Sequence, residues 1–366
     1  MTARNLRILM TADAVGGVWQ YAADLAGALV GSGHDVLLAT LGPAPSADQI
    51  ECLRETDVRI IDTGLALDWL AQDSRPVRES AERIAALAAD ERADIVHCNS
   101  PALLGAAGFS KPTLAVAHGC LATWWQAARD EPLAPEYHWH RHLVGRGLQA
   151  ADVAAAPSHS YALLLRQIYG LKNTPQVVHN GRSPAGLVAR SERLAHHVLT
   201  AGRLWDDVKG AAIMDKVAGL IDVPFYAAGA ARGPHGEEFT PSHLQLLGQL
   251  AGEELAAELA SRPVYVSAAA FEPFGLSVLE AAQAGCPLVL SDIATFRELW
   301  EGAAIFVDPC DPGQFAEAVT LLLADEDARA KLGQLAQQRA GRFTVERMVR
   351  ETEAIYVKLG GLRQAA

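Results

Sequence analysis

The chain opens with an apolar run, LRILMTA, then a glycine pair, a helical repeat of apolar positions from about Val18 to Val30, the breaker GSGH and a second apolar run, DVLLATL. Short runs without polar alternation are what strands covered on both faces require, so this stretch predicts a strand, a helix and a parallel strand. The alternation continues: RIIDTG precedes a helical SAERIAALAADE and the run DIVHCNS, and TLAVAHG and DVAAAPS precede a helix at SYALLLRQIYG. From Lys172 to Gln176 the sequence is polar, contains a proline, and the pattern pauses. A new series is expected to begin at Val177 and Val178 and at HHVLTAG, and to continue through PFYAAG, HLQLLG, PVYVSAA, PLVLSD and AIFVDP, with long helices from about Pro312. The expectation is an α/β protein of two doubly wound domains, residues 1–172 and 173–343, with a last helical segment at 344–366. Open parallel sheets take ligands at the carboxyl ends of their strands. Functional residues are therefore expected on loops after strands, at a cleft that the two domains share.

Composition narrows the class. At 366 residues, half of them hydrophobic, the chain exceeds what one core usually spans. Lys and Arg number 31 against 43 Asp and Glu, a net charge of -12, which argues against general affinity for nucleic acid or an anionic membrane while leaving room for peripheral membrane contact through a local patch. The five cysteines, Cys52, Cys98, Cys120, Cys286 and Cys310, are scattered and contain no C-x-x-C, so they read as reduced thiols of a cytoplasmic protein, and no zinc motif is present. MTARNLRILM has too short an apolar stretch for a secretory leader, and no run approaches the roughly 18 apolar residues of a membrane span.

The first strand-loop-helix unit invites a dinucleotide reading. Its loop ADAVGGV lacks G-x-G-x-x-G, and the second strand runs through Leu37 to Pro43 without a ribose-binding acid, which disfavours a dehydrogenase. GSGHDV follows a helix and serves as its stop, and there is no P-loop. FEPFGLSVLE, residues 271–280, is more informative. VYVSAA ahead of it reads as a strand and Leu276 onward as a helix ending at Gly285 before Pro287. Phe274, Gly275 and Leu276 then lie at a helix N-terminus whose free amides and dipole favour an anion. Glu272 precedes that helix and Glu280 lies about a turn inside it, so both can address one ligand. Carboxylates accept from vicinal hydroxyls, and two of them flanking an anion site match a ligand with sugar hydroxyls on both sides of a phosphate, as in a nucleotide-sugar. Taken alone, two such acids are an ordinary loop acid and a surface-helix acid. The Phe-Gly helix start and the Gly-Cys-Pro exit distinguish them here.

With this box the chain resembles the retaining glycosyltransferases of family four, which share the two-domain GT-B fold, and the resemblance covers nearly the whole chain. Its most specific element is EPFGLSVLE followed by AAQAGCPLVLSD. The resemblance implies that Glu280 binds the donor ribose, that Glu272 contacts the transferred sugar, and that the amides of Phe274, Gly275 and Leu276 meet sugar and phosphate. It further implies that Arg203 and Lys209 of AGRLWDDVKG are the basic pair on the donor diphosphate. Gly16 and Gly17 resemble the loop near the diphosphate and acceptor, His118 of VAHG the histidine facing the donor sugar, and HNG at 179–181 the segment opening the second domain. Elementary chemistry agrees on the basic pair: the leaving nucleoside diphosphate gains charge, and two cations stabilise it without a metal. Pro273 stands where a glycine is common, and SAAAFEPFG is more apolar than in many relatives, which bears on the choice of sugar. Read without the resemblance, Arg203 and Lys209 are solvated residues paired with Asp206 or Asp207, the glycines are turn residues and His118 is a core histidine.

TWWQAARDEPLAPEYHWHRH offers the flat faces of Trp124, Trp125, Tyr137 and Trp139 to an acceptor, or to packing. His138 and His142 are one helical turn apart without a second ligand motif, so no metal site is expected. Arg75, Arg78 and Arg83 interleaved with Glu79 and Glu82 read as a solvated helix face. The expectation is a metal-independent retaining glycosyltransferase of the hexosyl class. A nucleoside-diphosphate sugar is its donor, no cofactor is needed, and the acceptor is a hydroxyl of a saccharide, a lipid-linked or a small molecule. His118, Arg203, Lys209 and Glu272 form the expected catalytic set, and the acceptor attacks from the face the diphosphate leaves, with the leaving phosphate as base. The final helix in TVERMVRETEAIYVKLGG is expected to cross back to the first domain, as the resemblance implies. The alternatives are a non-catalytic nucleotide-sugar-binding protein and a sugar-nucleotide epimerase of the same architecture.

Overall fold

The structure, a computed structural model, describes residues 5–183 and 194–362. The chain divides into two compact units, one running to Gly181 and resuming at Val345, the other Arg182–Thr344.

The first unit carries the strands β1 (Arg7–Asp13), β2 (Asp35–Leu41), β3 (Arg59–Leu65), β4 (Ile95–Cys98), β5 (Thr113–Val116), β6 (Val153–Ala156) and β7 (Gln176–Val177). Between them lie the helices α1 (Gly17–Gly31), α2 (Ala47–Glu51), α3 (Ser74–Asp90), α4 (Pro101–Ala106), α5 (Leu121–Ala128), α6 (His138–Ala150) and α7 (His159–Tyr169). All seven strands pair in parallel in the order β3-β2-β1-β4-β5-β6-β7. The order reverses between β1 and β4, so the loops after these two strands flank the crevice where doubly wound sheets take ligands. Ile8 and Met10 of β1, Val36 and Leu38 of β2 and Trp19, Leu25 and Leu29 of α1 are buried in one cluster. The arginines and glutamates of α3, Arg75, Arg78, Glu79, Glu82 and Arg83, are exposed.

The second unit holds β8 (Val198–Ala201), β9 (Phe225–Ala228), β10 (Gln245–Gly248), β11 (Val264–Ser267), β12 (Leu288–Ser291) and β13 (Ile305–Val307). Its helices are α8 (Ala211–Ala218), α9 (Gly252–Ala260), α10 (Leu276–Ala284), α11 (Ala294–Trp300), α12 (Pro312–Ala324) and α13 (Glu326–Ala340). The sheet is again wholly parallel, ordered β10-β9-β8-β11-β12-β13 and reversing between β8 and β11. Successive strand residues point to opposite faces. Val198, Val264, Val266 and Val289 enter one core with α8 and α12, while Leu199, Tyr265, Leu288 and Leu290 enter the other with α10, α11 and α13. Two covered faces are the reason these strands read as unbroken apolar runs.

The last helix, α14 (Val345–Leu362), belongs to the first unit. It packs on α1, and Met348, Val349, Ile355, Tyr356 and Leu359 complete the first core. The Glu353 carboxylate lies 3.2 Å from His34 Nε2, whose Nδ1 accepts from the Leu6 amide. One expectation is corrected. Val177 and Val178 do not open the second series: β7 pairs with β6, and the Val178 amide donates to the Ala156 carbonyl at 3.1 Å. Residues 173–181 therefore lie with the first unit, and the change of unit falls immediately after the HNG triplet instead of at 172.

Candidate active site

In the second unit, the loops after β8 and β11 lie on either side of the point where strand order reverses. The first carries Arg203 and Lys209, and the second carries Glu272 and leads into α10. The two loops pack backbone against backbone: the Ala270 amide donates to the Val208 carbonyl at 2.8 Å. Gly210 caps α8 with φ of 72°, and a Cβ there would stand 2.1 Å from the Ala268 carbonyl oxygen. Only glycine fits both the left-handed backbone and the close approach. Tyr265 from β11 braces the end of β8, its hydroxyl lying 3.2 Å from both the amide and the carbonyl of Ala201. Burial raises its pKa and keeps it protonated.

This framework brings Lys209 Nζ to 2.7 Å from Glu272 Oε2, with both side chains 18 % exposed. Lys209 thus pairs across the two loops, and not with Asp206 or Asp207 as it would if it were only a solvated residue. Arg203 does pair locally, its Nη2 lying 2.8 Å from the buried Asp206 carboxylate, and its guanidinium sits 5.5 Å from the Trp205 ring centre. Gly275 precedes α10 with φ of 92°, the left-handed conformation that lets the chain turn and expose the first amides of the helix. Phe274 turns inward, edge-on to Phe343 at 5.5 Å, so its side chain anchors the loop and only its backbone can meet a ligand. Glu280 is held by a residue that sequence reasoning missed: Arg182 donates from Nε at 2.7 Å and from Nη2 at 2.6 Å to the same Oε1. Arg182 is itself placed by Gln283, whose side chain donates to its carbonyl at 2.8 Å. A basic residue directly after HNG was the available signal.

In the first unit, His118 follows β5 and is half-buried. Its Nε2 lies 2.9 Å from Asn99 Oδ1, while Asn99 donates its side-chain amide N–H to the Thr11 carbonyl at 2.7 Å and its backbone N–H to the Thr11 hydroxyl oxygen at 3.0 Å. The amide oxygen must accept, so Nε2 carries the proton of a neutral ring and Nδ1 keeps its lone pair. Desolvation, with the neighbouring His97 adding to it, holds the His118 pKa at about 3 and the ring uncharged. Asn99, at the end of β4, was legible only as a polar residue after a strand. Gly16 is the extended residue before α1 and Gly17 its first residue, after β1. They share the crevice side of the sheet with Asn99 and His118, all four following strands β1, β4 or β5.

The aromatic residues divide. Trp124 and Trp125 meet edge to face at 6.4 Å, Trp125 and Tyr137 lie tilted at 52° with ring centres 5.6 Å apart, and Arg129 lies 5.0 Å from the Trp124 ring centre. Trp139 packs edge-on to the buried His140 at 5.5 Å, and His140 Nε2 is 2.9 Å from Asp68. His138 binds the Leu133 carbonyl at 3.0 Å.

Comparison with known proteins decides the family. Residues 15–185 match the Glycosyltransferase Family 4 model and residues 237–339 the Glycosyl transferases group 1 model. The chain belongs to the family 4 glycosyltransferases. In this family 4 glycosyltransferase the second match contains both acids of the E-x7-E box and lies wholly within the second unit. The D-inositol 3-phosphate glycosyltransferase of Corynebacterium urealyticum is 33 % identical over 109 residues, 29 % of this chain and 26 % of that protein. The phosphatidyl-myo-inositol mannosyltransferase of Mycobacterium leprae is 26 % identical over 262 residues, 65 % of this chain and 66 % of that one. The chain thus spans about a quarter of the first relative and just under two thirds of the second. Among solved structures, HepE of Anabaena in complex with UDP-glucose superposes with a TM-score of 0.74 at 20 % identity, covering 97 % of this chain and 100 % of that one, which establishes the GT-B fold. No described helix is long and apolar enough to cross a membrane.

Proposed function

We propose that this chain transfers a hexosyl group from a nucleoside-diphosphate sugar to a hydroxyl acceptor with retention of anomeric configuration and without a metal. The observation that carries the reading is the Lys209–Glu272 pair, 2.7 Å across, at the point of strand reversal beside the N-terminus of α10. A cation, a helix N-terminus and a carboxylate at one place suit a phosphate joined to a hydroxylated ring. Lys209 has two further N–H donors for the diphosphate, and Glu272 has a second oxygen for a sugar hydroxyl. Arg203 and the amides from Phe274 to Leu276 stabilise charge on the departing diphosphate. Glu280, fixed through Oε1, offers Oε2 to the ribose. His118 accepts a sugar hydroxyl at Nδ1, which its tautomer leaves unprotonated, and Gly16 and Gly17 let backbone approach the diphosphate. The acceptor attacks from the face the diphosphate leaves and passes its proton to the leaving phosphate, so no protein nucleophile takes part. HepE, solved with UDP-glucose, supports a uridine donor as the first to try, and the two inositol-linked relatives support a cyclic polyol acceptor. Trp124, Trp125 and Tyr137 are the proposed stacking surface for that acceptor, with Trp139 supporting it from the His140 side.

The test is to incubate the chain with uridine, guanosine and adenosine diphosphate hexoses, with chelator and with inositol or a saccharide, and to measure released nucleoside diphosphate and the anomer of the product. Transfer with retained configuration under chelation supports the reading. Binding without release points to a nucleotide-sugar-binding protein, and conversion of the donor sugar without release to an epimerase.

A further inference from the structure

We propose that Tyr21 is a positioning residue for His118, and that the C-terminal helix takes part in this through a buried Tyr356, His97, Tyr21 chain. All of these residues lie in the first unit. Asn99 fixes the His118 imidazole in its own plane, but a single in-plane hydrogen bond leaves the ring free to swing about it. The Tyr21 ring lies against the imidazole with centres 4.2 Å apart and planes inclined by 56°, which removes that freedom. Tyr21 is held from behind in turn. Its hydroxyl is 3.5 Å from His97 Nε2, and His97 Nδ1 is 2.8 Å from the Tyr356 hydroxyl on α14.

Core stability does not by itself call for such a chain. Tyr21, His97 and Tyr356 are 2, 0 and 1 % exposed, and apart from the two tyrosines the core cluster around them is made of Ala, Ile, Leu, Met and Val with Trp19. Replacing a buried polar set by apolar side chains of the same shape is near neutral or stabilising, so a requirement on orientation is the better account of why it is polar. A neutral imidazole has one donor and one acceptor, so His97 can turn one nitrogen to each tyrosine hydroxyl, closely to Tyr356 and at the outer limit of hydrogen-bond distance to Tyr21. The strand register makes the same point. His97 and Asn99 are two residues apart at the end of β4, so one short segment supplies both the in-plane partner of His118 and the anchor of the ring that covers its face. The kinetic consequence rests on the role of His118 proposed above, whereas the orientation of the ring does not.

The experiment is a histidine side-chain proton–nitrogen correlation spectrum of the labelled full chain, the His118 signals being assigned by their loss in His118→Gln. The wild type should show the Nε2–H tautomer. In Tyr21→Leu the pattern should move toward an average of the two tautomers, with turnover lowered roughly ten- to hundredfold and donor KM little changed. Tyr21→Phe and Tyr356→Phe should each shift the His118 signals in the same direction by less, and the double variant should be no worse than either single one, because both break one chain. An unchanged His118 pattern in folded Tyr21→Leu overturns the positioning role. A pattern altered there but unchanged in both phenylalanine variants overturns the part given to α14. Should Tyr21→Leu fail to fold, the phenylalanine spectra decide the matter. If no donor is turned over by the wild type, glycosyl transfer falls while the spectra still judge this inference.

Discussion

Lys209 and Glu272 meet from loops 63 residues apart, and each satisfies the other without exhausting it. Lys209→Ala removes a cation from the proposed leaving-group site, and turnover should fall by about a hundredfold or more with the fold kept, as judged by circular dichroism. Near-normal turnover would move Lys209 out of the diphosphate site. Arg182 acts one step back. Without it, Glu280 loses the partner that fixes Oε1, and calorimetry on Arg182→Ala should show nucleoside-diphosphate affinity weakened about tenfold, while Arg182→Lys recovers part of it. Unchanged affinity would make the pair merely structural. The sequence makes Arg203, Lys209, Glu272 and Glu280 legible because each sits on or just beyond a loop that follows an apolar run. Arg182 pairs with a residue 98 positions away and Asn99 with one 19 away, and those relations exist only once the chain is folded.

At the level of elements, the two loops of the second unit form one rigid piece because Gly210 lets the start of α8 lie on the Ala268 carbonyl. Gly210→Ala meets both a forbidden backbone region and a backbone clash, so it should destabilise the protein by roughly 2 kcal/mol or more in denaturant titration and lower donor affinity at the same time. A loss of stability with donor affinity intact would separate the two loops. The central strands of the second sheet, such as β11 and β12, were readable because burial on both faces gives each an apolar run of three residues, Val264–Val266 and Leu288–Leu290. β7 was not. Two residues carry no period, and whether Val177 and Val178 close one sheet or open another is decided by pairing with β6, a tertiary fact.

For the molecule as a whole, acid should act through its neutral imidazoles, above all the buried His97. Burial lowers the His97 pKa from 6.5 to about 3, and His118 is shifted in the same direction. Between these values the unfolded chain binds protons that the native one does not, so stability is complete above pH 6.5 and declines as pH falls toward 3, by up to about 1.4 kcal/mol per unit for a fully buried group. Melting temperature should drop from pH 7 to pH 5, and His97→Gln should flatten that slope even if it lowers the whole curve. An unaltered slope would mean that the imidazole is charged in the native state. Because α14 supplies Met348, Ile355, Tyr356 and Leu359 to the first core, a chain ending at Thr344 should bind a hydrophobic dye and lose the cooperative melting of that unit. The same arrangement bears on biosynthesis. A ribosome releases the whole of Arg182–Thr344 before it reaches Val345, so the earlier-made unit waits roughly ten seconds or more with α1 uncovered while the later-made one is free to mature. Chaperones that shield apolar surface on nascent chains would find their natural client in that interval.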